Sequence, residues 1–138
     1  MVRRIGLPVV SLVAAALAAG LWWLVLTGHD RNSQREADSV IAATGGDPVA
    51  GYQIIVASGC AACHDIPGIP GPQGHVGPSL KSFKDQQMIA GRLANSPDNL
   101  ALWIAHPRTV DADTAMPDTG LSRKQAHDVA AYLYAPRH

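Results

Sequence analysis

The sequence predicts an all-α protein: a single N-terminal transmembrane helix followed by a small helical domain. Three observations carry that expectation. Residues 5–26 hold no charged side chain. Later segments open on helix caps and repeat their apolar residues at helical spacing. No stretch shows the alternating, β-branched pattern of a half-buried strand.

The first element is "IGLPVVSLVAAALAAGLWWLVL", 22 apolar or small residues. About 20 such residues cross a bilayer core as a helix. Pro8 falls in the first turn, where it removes no helix hydrogen bond. Trp22 and Trp23 lie near the far end, at the depth where indoles meet headgroups. Arg3 and Arg4 precede the run, which keeps that end in the cytoplasm and sends the remainder outside. A cleaved signal peptide is the competing reading, with "ALA" at 16–18 as its site; the apolar "LWWLVL" directly behind favours a retained anchor. Ala14 and Ala18, Ala15 and Ala19, and Ala16 and Gly20 are spaced for close helix packing in lipid, or simply make an Ala-rich anchor. The organisation expected is an anchor over 1–27, a polar linker over 28–46 with room for some helix, and a folded domain over 47–138.

In that domain Asp47 caps a helix with Pro48 at its first position, running through "VAGYQIIVAS". "KDQQMIAGRL" reads as a short helical pattern with Met88, Ile89 and Leu93 on one side. Ser96 and Pro97 open "NLALWIAH", with Leu100, Trp103 and Ile104 as its apolar face and Pro107 as its stop. Ser122 and Gln125 form a capping box for "RKQAHDVAAYLYA", whose stripe is Ala126, Val129, Ala130 and Leu133. A domain this small has a thin core, and it carries only Phe83, Trp103 and three tyrosines as large rings. A bulky buried cofactor would fill the gap. From Asp47 onward eight Asp face seven Lys and Arg, so neither nucleic-acid binding nor long-range steering is expected.

The chemistry concentrates in "CAACH". Cys60 and Cys63 are the only cysteines, and His64 follows directly. Thioredoxin-like redox needs a βαβ frame, of which there is no sign. Structural zinc needs four ligands; Cys60, Cys63, His64 and His75 are a conceivable set with an unfamiliar spacing. Covalent haem uses all three motif residues: two thioethers to the vinyl groups, and the histidine on the iron. One covalent haem c is therefore the cofactor expected, with His64 as a metal ligand. For the sixth position the candidates are Met88, Met116, His75, His106, His127 and His138. Met88 reads as core, His127 as a solvated face beside Asp128, and His106 as a helix end. Met116 lies in "DADTAMPDTGLS", an irregular loop with no packing reason for a thioether, stiffened by Pro117. It is the ligand expected.

This order of motifs, over residues 47–135, resembles a class I cytochrome c. More narrowly, "IAGRLANSPDNLALWIAHPRTV…AMPDTGLS" is similar to the cytochrome c domain fused to subunit II of some bacterial haem-copper oxidases. The resemblance implies His64 and Met116 as axial ligands. It implies that Gly77 and Pro78 pack beside His64, the Pro78 carbonyl accepting its Nδ1 proton. It implies that Gly51 lets the domain's first helix cross its last near Tyr132. It implies that Trp103 lies under the haem, with Arg92 and Arg108 as propionate partners. Both cysteines being spent on haem, a copper-binding domain is not expected in this chain.

A haem with both axial positions filled exchanges single electrons and leaves no site for substrate. The function expected is a one-electron carrier, not an enzyme, anchored singly in the bacterial cytoplasmic membrane with its haem domain outside. Its expected partners are membrane lipid, other subunits of a respiratory complex such as a terminal oxidase or quinol-oxidising complex, and redox proteins. The alternative is a haem enzyme or haem-based sensor with a labile sixth ligand.

Overall fold

Proline and an oxygen-bearing cap together set the starts of two helices, and a cap alone that of a third, in the computed structural model, which describes residues 6–136. Arg3, Arg4 and His138, named above, lie outside those residues. Helix α1 spans Gly6–Thr44. α2 spans Pro48–Ala57, with the Asp47 carboxylate accepting from the Val49 and Ala50 amides. α3 spans Pro97–Ala105, capped by Ser96 through the Asn99 amide. α4, Pro107–Val110, begins where Pro107 ends α3. α5 spans Arg123–Tyr134 and carries the full reciprocal capping box of Ser122 and Gln125. Each cap satisfies amides that a helix start leaves without a partner.

The chain divides into two units, residues 1–35 and 36–138. In the first, α1 is long and apolar enough to cross a membrane. Its Leu17, Leu21, Trp22, Trp23 and Leu24 side chains are exposed. The polar stretch expected as a linker is helical up to Thr44. Between Gly28 and Gly45 it has neither proline nor glycine, and its Arg, Gln, Glu and Ala are good helix formers.

In the second unit α2 and α3 both pack on α5. The α5 stripe of Ala126, Val129, Ala130 and Leu133 is buried against Ile55, Leu100 and Ile104. At the α2–α5 crossing a Cβ on Gly51 would lie 2.0 Å from the Asp128 carbonyl oxygen and 3.0 Å from Tyr132 Cβ. Only hydrogen at that position allows the approach. Asp128 is buried; one oxygen accepts the Asp47 amide at 2.7 Å and pairs with Lys124.

Two expectations need correction. Residues 88–94 form no helix but a small antiparallel hairpin, β1 (Met88–Ile89) with β2 (Leu93–Ala94), pairing Met88 with Ala94 and Ile89 with Leu93. Ala90 and Gly91 both take positive φ, which ends helical geometry and turns the strands back. Ile89 is buried, but Met88 is 46% exposed and is not a core residue. His127 is not a solvated residue either. Its Nδ1 donates to the Thr44 carbonyl at 2.9 Å, and only 13% of its side chain is exposed.

Candidate functional site

Gly59 takes φ 67°, a left-handed conformation that lets the chain leave α2 and enter the single 3₁₀ turn Cys60–Ala62. The Cys60 carbonyl accepts the amides of both Cys63 (3.2 Å) and His64 (3.1 Å). The three motif residues therefore sit on one tight turn. Cys60 is half-buried and Cys63 exposed. Burial pushes the Cys60 thiol up, and the Cys63 sulfur adds to the rise. That direction is opposite to the thiolate-stabilising surroundings of a dithiol redox centre.

Residues 74–80 run back along this turn. The Gly74 amide donates to Ala61, Gly77 to Cys63 and Leu80 to Asp65, each at 2.8 Å. The approach requires glycine. A Cβ on Gly74 would lie 2.1 Å from the Ala62 oxygen, and one on Gly77 would lie 2.4 Å from His64 Cε1. The His64 Nδ1 meets the Pro78 carbonyl at 2.8 Å. A proline carbonyl only accepts, so Nδ1 carries the proton and the Nε2 lone pair is left to bind elsewhere. A histidine oriented by such a backbone bond is the usual form of a metal-ligating imidazole.

Among the described residues no three His, Cys, Asp or Glu side chains converge as a metal-binding group. Cys60, Cys63, His64 and His75 therefore do not form a zinc tetrahedron; His75 is exposed. The donor set instead fits a haem on this turn: two thiols spaced by the turn, and one imidazole with its second nitrogen already occupied.

The structure thus brings Cys60, Cys63, His64, Gly77 and Pro78 together. Trp103 stands half-buried on α3, packed against the core. Met116 is half-buried in the loop between α4 and α5, its amide donating to Thr114 Oγ1 at 3.2 Å. The loop is pegged at both ends. Asp111 accepts from Arg92 Nε at 3.0 Å, and Thr119 Oγ1 donates to the Ile104 carbonyl at 2.9 Å. Arg92 is thus partnered by Asp111, and Arg108 is exposed. Gln73 and Gly74 were not singled out in the sequence. The signal available was a glutamine at the end of a proline-rich loop short of amide donors.

The helical fold and the Cys-x-x-Cys-His turn define a haem protein of the electron-transfer class. The cytochrome c family model matches residues 48–135, and the chain belongs to that family. It is 30% identical over 84 residues to the cytochrome c oxidase subunit 2 of Alkalihalophilus pseudofirmus, an alignment covering 60% of this chain and 24% of the relative. The chain spans about a quarter of that relative's length.

Proposed function

We propose that the protein is a one-electron carrier holding one haem c, not an enzyme, and that it is anchored in a bacterial cytoplasmic membrane with its haem domain outside. Residues 1–27 serve as the anchor, 28–46 as a largely helical connection, and 47–138 as the haem domain. Cys60 and Cys63 hold the haem as thioethers. His64 and Met116 ligate the iron. Gly77, Pro78 and Trp103 line the cofactor. The carrying observation is the His64 Nδ1–Pro78 carbonyl bond at 2.8 Å, with Gly77 against the ring.

When bound, the haem supplies a one-electron couple between ferrous and ferric iron. The protein's part is to hold and tune it. The Pro78 carbonyl fixes the tautomer and plane of His64 and raises its basicity as a ligand. A Met116 thioether favours the reduced state more than a second imidazole would. The peg of Asp111 and Arg92 at one end of the Met116 loop, and of Thr119 at the other, limits ligand motion. The small residues Ala61 and Ala62 let a partner approach the attachment turn closely.

Family membership and likeness to an oxidase subunit support a place as subunit or close partner of a respiratory complex, either a terminal oxidase or a quinol-oxidising complex. The domain's near-neutral charge suits a partner held in the same membrane, since tethering replaces electrostatic steering with effective concentration. The test is a redox titration of detergent-solubilised protein with carbon monoxide added to the reduced form. A single one-electron wave with no carbon monoxide complex is expected. Ready carbon monoxide binding would favour the enzyme or sensor reading, with a labile sixth ligand.

A further inference from the structure

We infer that Gln73 is a positioning residue for His64, acting through the loop that joins the attachment turn to the segment seating the imidazole. The inference rests on His64 ligating the haem.

Between His64 and Gln73 the chain reads "DIPGIPGPQ", with prolines at 67, 70 and 72. Each proline removes an amide donor, so the loop has carbonyls to satisfy and few amides to do it with. The Gln73 side chain supplies the difference. Its Nε2 donates to the Ile69 carbonyl at 2.9 Å and to the Gly71 carbonyl at 3.2 Å. Its Oε1 accepts the Ile66 amide at 2.8 Å. With donors on carbonyls and the acceptor on an amide, the orientation of the side-chain amide is fixed by its partners. The same loop buries Ile66 and Ile69 in the core, and Tyr132 donates to the Pro67 carbonyl at 2.7 Å. Gln73 therefore ties the start of the loop, its middle and its end at one point.

The next residue begins the clamp. Gly74 donates to Ala61, Gly77 to Cys63, and Pro78 accepts from His64. If Gln73 is released, the loop regains conformational freedom and the clamp loses its fixed origin. The His64 Nδ1–Pro78 bond is then made less fully. A weaker bond leaves a less basic imidazole, stabilises ferric iron less, and raises the reduction potential.

The test uses the full-length holoprotein with Gln73→Met, which keeps the side-chain volume and removes all three hydrogen bonds. Amide exchange at Gly74 and Gly77 should quicken by about tenfold, with no matching change in α5 amides such as Val129 and Ala130. The reduction potential should rise. Gln73→Glu keeps the acceptor for Ile66 and loses the donors to Ile69 and Gly71; amide exchange at Gly74 and Gly77 should quicken here too, and that readout keeps the test open if Gln73→Met accumulates poorly. Exchange at Gly74 and Gly77 within about twofold of wild type, or an unmoved potential, overturns the inference. So does equal acceleration throughout α5, which marks a purely structural role. Wild-type haem that is extracted by acid–acetone would instead sink the attachment reading itself; a null Gln73 result with haem retained sinks only this one.

Discussion

Replacing Gly77 by alanine tests the seating of His64 with a single methyl group. Gly77 is not among the residues with positive φ, so alanine fits its backbone and the effect is steric. The added Cβ would lie 2.4 Å from His64 Cε1, 2.6 Å from Nδ1 and 2.9 Å from Nε2. Carbon atoms settle at about 3.5–4.0 Å, so the ring or the backbone must retreat by roughly 1 Å. Neither is free to do so. The Gly77 amide is held by the Cys63 carbonyl, and the imidazole by Pro78, both at 2.8 Å. Overpacking costs about 1–3 kcal/mol, and one lost hydrogen bond about 1 kcal/mol more. The sum, about 2–4 kcal/mol, lowers the melting temperature of a domain this size by about 8 °C or more. Thermal unfolding of the holoprotein, followed at the haem band and by far-ultraviolet circular dichroism, reads that loss; the reduction potential should rise with it. Gly120→Ala is the control, since no heavy atom stands within 4 Å of its added Cβ and only its φ of +69° resists alanine. A Gly77→Ala protein melting within about 2 °C of wild type, with an unchanged potential, would refute the reasoning.

Other outcomes follow from the same geometry. Gly51→Ala forces a methyl group against the Asp128 backbone at 2.0 Å and should cost at least about 3 kcal/mol in urea unfolding, because two helices must separate. Met116→Ala should let the reduced protein bind carbon monoxide and should lower its potential, while Met88→Ala leaves both unchanged. The hydrogen bond from Lys81 holds the Asp65 carboxyl below its ordinary value, so its stabilisation is full above the ordinary carboxylate range and is lost as pH falls through the depressed folded value. Lys81→Met should therefore flatten the acid limb of a stability–pH profile and leave the profile above neutrality parallel to wild type.

Much of the fold was legible where the signal is local. Asp47, Ser96 and Ser122 with their prolines or Gln125 specify helix starts within four residues, and the α5 stripe is a simple 3.6-residue repeat. The turn that carries Cys60, Cys63 and His64 was legible as one unit because its three residues are neighbours in sequence. The Gly51 crossing and the Gly77–Pro78 seat came from family resemblance; the structure shows backbone approaches in both places that only glycine permits. Residues 88–94 misled because three apolar residues are too few to separate a short helix from a hairpin, and the positive φ of Ala90 is not written in an alanine. His127 misled because its partner, the Thr44 carbonyl, is 83 residues away. Gln73 escaped notice because its role exists only once the prolines have removed the loop's own donors.

The central claim is that Cys60 and Cys63 carry a haem as thioethers. Acid–acetone extraction of the purified holoprotein, followed by mass spectrometry of the peptide containing Cys60, Cys63 and His64, tests it most directly. The account predicts that the haem stays with the polypeptide and that the peptide gains the mass of one haem, while a Cys60→Ala, Cys63→Ala double variant retains none. Haem released into the acetone, or a peptide of unmodified mass, would contradict it.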